Sequence, residues 1–330
     1  MPEKLHLHIE NRTELGPVFE ASAERVRVAL AKRPGLADRI RVTIGADGAD
    51  FAAQMASADI LFGWEFDLAL IARGEAPKLR WVHAHGAGIN HLLPMDWLPK
   101  GAVLTNSRGI HGEKADQYTI MALLMLNNRV PECVASQRRA TWEQRFSTSI
   151  VGKTALIIGV GHVGAGAAKW AKRFGLTVLG IRRSGRRHAH VDEMHTPAAL
   201  HELLPRADFV LVSAPHTDAT THMIGARELG LMKDGAGLVN YSRANLVDYD
   251  ALRAELSSGR LSAVLDVFDP EPLPESSPLW NTPNLIMTPH CSSDDVDLYT
   301  PKTLDLVFEN AERLLAGRPL KNRVDRRRQY

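Results

Sequence analysis

One glycine-rich turn constrains the fold of this 330-residue chain more than any other feature. Residues 154–158 read Thr-Ala-Leu-Ile-Ile, a continuous apolar run typical of a strand buried on both faces of a parallel sheet. The run leads directly into Gly-Val-Gly-His-Val-Gly at 159–164, and a stretch of helical composition follows. A strand, a G-x-G-x-x-G turn and a helix in this order predict a dinucleotide-binding unit.

The five residues that define this turn have separate roles. Gly159 permits the sharp turn, Gly161 lets the backbone approach a pyrophosphate, and Gly164 allows the helix to pack closely on the strand. His162 and Val163 lie where the helix begins and where its free N–H groups face the phosphates. We therefore predict that all five bind a dinucleotide. The alternative is a glycine-rich turn without a ligand.

The end of the next predicted strand indicates which dinucleotide is bound. A site that prefers NAD carries an acidic residue about 20 positions after the glycines, where it binds the ribose 2′-hydroxyl. Here the strand at 177–181 runs into Arg182-Arg183-Ser184 and no acid is present. Because guanidinium groups bind phosphate, this loop predicts a preference for NADP(H), with NAD(H) still possible as a cofactor. A solvated basic loop is the alternative.

Strand and helix signals alternate along the whole chain. The strand candidates are short apolar or alternating runs, at 5–9, 40–44, 58–63, 81–84, 103–105, 154–158, 177–181, 209–212, 237–240, 263–267 and 285–287. Helical patterns lie between them, most clearly at 17–33, 113–129 and 297–316. This alternation predicts an α/β fold of two doubly wound, parallel-sheet (Rossmann-like) domains with a cleft between them.

The length of the chain also suggests two domains. We assign residues 105–296 to an NAD(P)-binding Rossmann domain. Residues 1–104 and the returning segment 297–330 are assigned to a flavodoxin-like, substrate-binding domain. Closure of the cleft would exclude water from the reaction.

Composition narrows the class of partner. Forty basic and thirty-eight acidic residues give a net charge of +2, so the overall charge argues for neither nucleic acid nor membrane as a partner. Two cysteines are too few for a disulfide framework. The N-terminus has no basic start followed by a long apolar core, so we expect no secretory signal and a cytoplasmic location.

Three later segments each place reactive side chains at the end of a predicted strand, where ligands bind in open parallel sheets. The first ends in Arg243, the second contains Asp266 and Glu271, and the third ends in Pro289-His290. Taken singly, an arginine or glutamate usually forms a surface salt bridge, and a histidine is usually structural. Their joint occurrence in this order favours acid–base chemistry.

With these segments the chain resembles the D-isomer-specific 2-hydroxyacid dehydrogenases, a family that includes glyoxylate/hydroxypyruvate reductases and phosphoglycerate dehydrogenase. The resemblance runs from Trp81 to the C-terminal region. Four motifs carry it: the turn at 159–164, the segment 240–243 followed by Val-Asp, the run at 265–273, and the Pro-His pair at 289–290.

The resemblance implies a role for each reactive side chain. Arg243 would bind the carboxylate of a 2-oxo acid and polarise its carbonyl group. His290 would be the general acid, and Glu271 would orient its ring and raise its pKa. Asp266 would hold the carboxamide of the nicotinamide ring.

The resemblance extends to the loop at 85–90, where the backbone amides of Ala87 and Gly88 would bind the substrate carboxylate. We also expect Ala214 and Pro215, which follow the strand at 209–212 after one serine, to contact the cofactor. Two departures from the family pattern lie nearby: Asn90 stands where the family usually has Asp, and Ala244 where it has Gly. The substrate pocket is therefore expected to differ from that of well-known members.

Two further expectations concern metals and assembly. His83, His85 and His91 have no carboxylate or cysteine close by in sequence, so we predict no metal site. The apolar helix at 113–129 and the Trp- and Arg-containing arm that follows it resemble the dimer-forming region of the family, which implies a homodimer.

The leading hypothesis is an enzyme that uses NADPH to reduce a small 2-oxo acid, similar to glyoxylate or hydroxypyruvate, to the D-2-hydroxy acid. One alternative is an NAD-dependent enzyme that oxidises a D-2-hydroxy acid. An alternative from another class is a nucleotide-sensing binding protein of the corepressor type, which would bind the dinucleotide without turnover.

Overall fold

The chain folds into two compact units. The computed structural model describes residues 4–326. One unit runs up to His111 and resumes at Asp294, and the other comprises Gly112–Ser293. The boundaries predicted at 104 and 297 therefore differ from those in the structure. The first would cut through the strand Val103–Asn106, whose backbone belongs to the sheet of the first unit.

Both units are built on parallel sheets. The strands of the first unit are β1 (Leu5–Asn11), β2 (Ile40–Ala46), β3 (Ile60–Gly63), β4 (Trp81–Ala84) and β5 (Val103–Asn106). Those of the second are β6 (Thr154–Ile158), β7 (Thr177–Ile181), β8 (Glu193–His195), β9 (Phe209–Val212), β10 (Gly237–Asn240), β11 (Ser262–Leu265) and β12 (Leu285–Met287). The predicted class, two parallel-sheet α/β domains, is confirmed.

α-Helices supply most of the crossovers that parallel strands require. In chain order they are α1 (Ala23–Ala31), α2 (Pro34–Ala37), α3 (Phe51–Met55), α4 (Leu68–Ala72), α5 (Gly112–Asn127), α6 (Val130–Arg138), α7 (His162–Arg173), α8 (Leu200–Leu203), α9 (Ala226–Leu231), α10 (Tyr249–Ser257) and α11 (Tyr299–Leu315). Between residues 4 and 326, no helix combines the length and the apolar character that crossing a bilayer requires.

The strand order of each sheet is that of a doubly wound fold. The first sheet has the order β2-β1-β3-β4-β5, which is the flavodoxin type. The second has the order β12-β11-β10-β9-β6-β7-β8, which is the Rossmann order with one strand added. The order reverses between β6 and β9, whose last residues, Ile158 and Val212, are paired. Ligands bind at such a switch point.

The apolar run in β6 is explained by its place in the second sheet. Residues 155–158 have almost no exposed surface because helices cover both faces of the sheet. Ala155 and Ile157 pack with Tyr118 and Leu123 of α5. On the opposite face, Leu156 and Ile158 join a core that contains side chains from α8 and α10.

Strand β1 differs from the half-buried strand that its alternating pattern predicts. Leu5, Leu7 and Ile9 pack in one core, but the intervening polar side chains are buried as well. His8 Nε2 lies 2.9 Å from a carboxylate oxygen of Glu10. β1 lies between β2 and β3, so both of its faces are covered, and buried polar groups there need hydrogen-bond partners.

Some predicted boundaries moved for local reasons. The helix predicted at 17–33 begins at Ala23, because the side chain of Ser22 accepts a hydrogen bond from the N–H of Arg25 and caps it. Pro34 does not simply end a helix but opens α2, since proline suits the first helical position. β8, a short strand at the sheet edge, was not among the predicted strands.

Candidate active site

The glycine-rich turn of the second unit requires two of its glycines for steric reasons. Gly159 has φ = +101°, a left-handed conformation that suits glycine. A Cβ atom on this residue would lie 2.5 Å from the backbone nitrogen of Ala214, at the end of β9. A Cβ atom on Gly164 would overlap the carbonyl group of Gly159. The turn therefore brings the ends of β6 and β9 and the first turn of α7 into close contact.

The third glycine leaves space at the helix N-terminus. A Cβ atom on Gly161 would meet no other atom within 4 Å, and α7 begins at the next residue, His162. The side chain of His162 is exposed, whereas that of Val163 packs on the core. An open backbone at the N-terminus of a 12-residue helix suits a phosphate group. The residues present thus fit a dinucleotide.

The basic loop after β7 is a tight turn at the edge of this region. The N–H of Arg182 donates to the carbonyl of His195 in β8 (3.0 Å), and the N–H of Gly185 donates to the carbonyl of Arg182 (3.0 Å). Arg183 and Ser184 are exposed, and Arg182 is half-buried. No acidic residue occurs in this turn, so its charge suits an anionic group.

Ala214 and Pro215 extend the end of β9 towards β10. The carbonyl of Ala214 accepts a hydrogen bond from Ser242 Oγ (2.6 Å), and that of Pro215 accepts one from Thr220 Oγ1 (2.8 Å). Ala214 is buried and Pro215 is exposed. Their predicted contact with a cofactor stays a prediction.

His290 and Glu271 form a close pair in the second unit. His290 Nδ1 donates to Glu271 Oε2 at 2.6 Å. The other carboxylate oxygen, Oε1, accepts the backbone N–H of Phe268 at 2.7 Å, so both oxygens of Glu271 are held. Both side chains are partly exposed. Because Nδ1 is engaged, Nε2 is the ring nitrogen left to face a ligand.

The electrostatics of the pair favour the charged form of His290. The hydrogen bond to Glu271 raises the pKa of His290 above its usual 6.5, against the effect of burial. Burial raises the pKa of Glu271, but the hydrogen bonds from His290 and Phe268 and the nearby charges outweigh it, and the pKa is lowered. A carboxylate next to an imidazolium is the expected state at neutral pH.

Asp266 organises the turn that carries His290. Its side chain has no exposed surface. Its Oδ1 accepts Thr288 Oγ1–H (2.5 Å) and the N–H of Cys291 (3.0 Å), and its Oδ2 accepts the N–H of Ser292 (3.1 Å). The backbone carbonyl of Asp266 accepts the N–H of His290 at 2.8 Å. The contact with a nicotinamide carboxamide that the family resemblance implies stays a prediction.

These hydrogen bonds fix an uncommon backbone conformation. His290 has φ = +49°, which few residues other than glycine adopt.

Thr288 donates its only hydroxyl proton to Asp266, so the hydroxyl of Tyr118, 2.7 Å away, donates to Thr288. Burial raises the pKa of Tyr118 well above its usual value, which keeps this donor protonated.

Arg243 lies on the turn after β10. It is half-buried, and its Nη1 donates to the carbonyl of Ser242 at 2.6 Å. Burial lowers its pKa, which the charge of Glu271 partly offsets, but a guanidinium stays charged at neutral pH. Ala244, where the family has glycine, begins a short 3₁₀ turn and does not have a positive φ. A glycine is therefore not needed at this position.

Ala87 and Gly88 lie in the first unit, in the loop after β4. Asn106 Nδ2 donates to the carbonyl of Ala87 at 2.7 Å, and the N–H of Ser107 donates to the carbonyl of Gly86 at 3.0 Å. The loop is thus fastened to the end of β5 through its carbonyl groups. The substrate contact predicted for Ala87 and Gly88 stays a prediction.

The histidines of the first unit have structural surroundings. Burial lowers the pKa of His83 to about 3 and that of His85 to about 3, so both are neutral at physiological pH. His83 hydrogen-bonds Thr105 Oγ1 at 2.7 Å, and the ring of His91 stacks on that of Trp64. Within residues 4–326, no three His, Cys, Asp or Glu side chains cluster in a way that could hold a metal ion.

The hydroxyl groups that support these side chains leave little trace in the sequence. Thr288 stands in the Thr-Pro-His segment and Tyr249 directly follows the Val-Asp pair, so their positions beside known motifs were the available signal. Tyr118 belongs to the apolar pattern of a buried helix, and periodicity does not distinguish a buried hydroxyl donor from a buried ring.

Comparisons with known proteins agree on one family. A family model described as "D-isomer specific 2-hydroxyacid dehydrogenase, NAD binding domain" matches residues 120–292. A glyoxylate reductase of Korarchaeum cryptofilum is 33% identical over 243 residues, which cover 71% of this chain and 73% of that protein.

Two solved structures share the fold over almost the whole chain. One is an NADPH-dependent glyoxylate/hydroxypyruvate reductase from Sinorhizobium meliloti in complex with NADP and sulfate, with a TM-score of 0.83 and 25% identity, covering 99% of this chain and 100% of that one. The other is a D-isomer specific 2-hydroxyacid dehydrogenase from Xanthobacter autotrophicus in complex with NADPH and MES, with a TM-score of 0.83, 27% identity and the same coverage. The chain therefore belongs to the D-isomer-specific 2-hydroxyacid dehydrogenase family and is an oxidoreductase of the glyoxylate/hydroxypyruvate reductase-like kind.

Proposed function

We propose that the protein reduces a small 2-oxo acid, similar to glyoxylate or hydroxypyruvate, to the D-2-hydroxy acid with NADPH. The observation that carries this proposal is the His290–Glu271 pair, whose 2.6 Å hydrogen bond favours a protonated imidazole. The positive charge of Arg243 lowers the pKa of both residues, so all three side chains are coupled electrostatically. An acid and a fixed cation in a dinucleotide-binding unit are the groups that carbonyl reduction needs.

Arg243 binds the substrate in this proposal. Its guanidinium stays charged and can hold a carboxylate with two parallel hydrogen bonds. The same charge polarises the neighbouring carbonyl group and stabilises negative charge that develops on its oxygen. The backbone amides of Ala87 and Gly88 add donors for the carboxylate.

His290 supplies the proton. A bound reduced nicotinamide supplies the hydride. As the carbonyl carbon is reduced, its oxygen takes a proton from Nε2 of His290 and becomes the hydroxyl group of the product. Glu271 keeps Nδ1 protonated and the ring oriented, so the proton that leaves is the one on Nε2. Asp266 holds the turn beneath His290 and, as part of the proposal, the nicotinamide carboxamide.

The cofactor preference rests on the turn after β7. Arg182, Arg183 and Ser184 offer two cations and a hydroxyl where an NAD-preferring site carries a carboxylate. A carboxylate would repel a 2′-phosphate, whereas these groups attract it. The two structurally similar enzymes described above were solved with NADP and NADPH. NAD(H) is the second cofactor that the site can take.

We further propose a cytoplasmic homodimer. The arm after α6 has no regular structure between residues 141 and 149, and Trp142 and Phe146 in it are 92% and 83% exposed. Met121 on α5 is 41% exposed, so this helix is not covered all round by its own chain. Large exposed apolar side chains on one segment mark an interaction surface, and a second copy of this chain is the proposed partner.

The cytoplasmic location rests on a different observation. The two cysteines are free thiols, which suits a reducing compartment.

The first test is turnover. Absorbance of NADPH, and then of NADH, is followed with glyoxylate, hydroxypyruvate, pyruvate, phenylpyruvate and 2-oxoisocaproate. We expect oxidation of NADPH with a short 2-oxo acid. His290→Ala should lower kcat roughly 10²–10⁴-fold, as expected for a lost general acid. Arg243→Ala should lower kcat/KM roughly 10²–10³-fold, while both variants still bind NADPH.

The matched control for this test is His201→Ala. His201 also pairs with a glutamate in the second unit, its Nε2 lying 2.7 Å from Glu228 Oε1, but on α8. Its replacement should leave kcat and KM unchanged. Binding of both dinucleotides without turnover of any acid would contradict the enzyme proposal and favour the sensor alternative.

The pH dependence of reduction should follow His290. Because its pKa is raised, the protonated form persists to higher pH than for an ordinary histidine, and kcat/KM for the oxo acid falls only as pH rises through that raised pKa. Glu271→Gln removes the main cause, so the fall should move to lower pH. Glu275→Gln, an exposed glutamate nearby, is the control and should leave the profile in place. An unmoved profile in Glu271→Gln would refute the assignment.

Exchange of the loop residues should change the cofactor preference. In Arg182→Asp/Arg183→Ser, the ratio of kcat/KM for NADPH to that for NADH should fall roughly 10- to 100-fold, because charge-assisted hydrogen bonds to the phosphate are lost. Arg186→Asp/Arg187→Ser makes the same change of charge on two exposed residues of the same segment and should alter the ratio far less. Equal effects of the two double variants would mean that only net charge matters.

Disruption of the arm should dissociate the dimer. Trp142→Asp/Phe146→Asp places two charges on the exposed apolar surface, and we expect light scattering after gel filtration to report the monomer mass. Val28→Asp, on the exposed face of α1, serves as the control and should leave the dimer intact. A wild-type monomer at all concentrations would contradict the proposed assembly.

A further inference from the structure

Tyr249 has a fixed position at the start of α10. Asp248 caps this helix, its Oδ1 accepting the N–H groups of Asp250 and Ala251 at 3.0 Å each. Tyr249 is the first helical residue, and its ring contacts that of Phe268 at a centroid distance of 6.4 Å. The cap and the ring contact together direct its hydroxyl towards the ends of β10 and β11.

The hydrogen bonds of the Tyr249 hydroxyl are fully assigned by chemistry. Its oxygen lies 2.8 Å from the carbonyl of Val267, which only accepts, so the hydroxyl proton is donated there. Its oxygen also lies 3.1 Å from Nδ2 of Asn240, which only donates. The hydroxyl thus accepts from Asn240 and donates to Val267. Burial raises the pKa of Tyr249 above its usual value, so it remains a donor.

Asn240 connects the Tyr249 hydroxyl to the turn that carries Arg243. Its side chain is fully buried at the end of β10. Its second Nδ2 proton is donated to the carbonyl of Arg243 at 3.0 Å, and its Oδ1 accepts the N–H of Ser242 at 3.2 Å. The amide group of Asn240 therefore closes the Arg243 turn, which we define as residues 242–245. The Tyr249 hydroxyl fixes the orientation of that amide.

The other end of the link leads to the acid–base pair. Val267, which accepts from Tyr249, is followed by Phe268, and the N–H of Phe268 holds Glu271 Oε1 at 2.7 Å. One hydroxyl group thus joins the backbone that carries Arg243 to the backbone that holds the partner of His290.

We propose that Tyr249 is a positioning residue. Its hydroxyl holds the Arg243 turn in place through Asn240 and ties that turn to the backbone of Val267 and Phe268, which holds Glu271. Both hydrogen bonds of its hydroxyl go to protein groups, so its effect on the substrate is exerted through Arg243. The inference rests on the proposed function, since it assumes that Arg243 binds the carboxylate of a 2-oxo acid.

The test is Tyr249→Phe, which keeps the ring and removes only the hydroxyl. The variant loses two hydrogen bonds, and only the one from Asn240 bears directly on the Arg243 turn. Loss of one buried hydrogen bond of ordinary strength corresponds to roughly a 2- to 10-fold change in an equilibrium. We expect the KM for the oxo acid to rise by about that factor. The Kd for NADPH, measured by fluorescence, should not change. Hydrogen–deuterium exchange at the Ser242 amide, which Asn240 holds, should become faster.

Tyr241→Phe is the matched control. Thr119 of α5 donates its only hydroxyl proton to the carbonyl of Ala115 (2.9 Å), so the hydroxyl of Tyr241, 3.1 Å away, donates to Thr119. The ring of Tyr241 packs in the core on that side of the sheet. This variant loses a buried hydroxyl next in sequence to Asn240 but outside the link. It should leave both the KM and the exchange of Ser242 unchanged.

Two results would overturn the proposal. In the first, Tyr249→Phe lowers the Tm while KM and Ser242 exchange stay as in the wild type, so the hydroxyl is only structural. In the second, Ser242 exchanges faster but KM does not rise, so the link does not position Arg243. If the wild type reduces no 2-oxo acid, the proposed function fails, and the exchange of Ser242 alone then decides whether Tyr249 holds the turn.

Discussion

The second unit depends on one buried carboxylate. Asp266 has no exposed surface, and a charge in such a place is tolerated only when hydrogen bonds replace its lost hydration. A hydroxyl and two backbone N–H groups do so, and all three come from residues 288–292. The cost of leaving this carboxylate unsatisfied forces the turn at 288–292 to close around it. The left-handed conformation of His290, and hence its contact with Glu271, is a consequence of that closure.

Most of the fold could be predicted because parallel strands buried on both faces leave a strong pattern. The strands at 81–84, 177–181, 209–212, 237–240 and 285–287 lie where the sequence places them. The polar edge strand β8 could not be found, because its residues carry no apolar signal. The division into compact units falls at His111 and not at 104, and nothing local in the sequence shows that Thr105 pairs with β4.

Of the candidate site, only the charged residues and the glycines could be predicted from the sequence. Gly159, Arg243, Glu271 and His290 stand in motifs whose spacing is characteristic of a family. Their supporting hydroxyl groups could not be found in this way, because Tyr249 acts through contacts with Asn240 and Val267, which are distant in sequence from one another. Such roles arise only when separate strand ends meet.

The buried polar row on β1 has a consequence for how the first sheet assembles. His6 and His8 both contact Thr43 Oγ1 of β2, at 2.8 and 2.9 Å, and the backbone pairs His8 with Thr43. If β1 slipped by one residue, the imidazoles would enter the apolar layer and the leucines would face Thr43. The polar row therefore penalises every shift of β1 by an odd number of residues. An apolar β1, buried equally on both faces, would lack that selectivity.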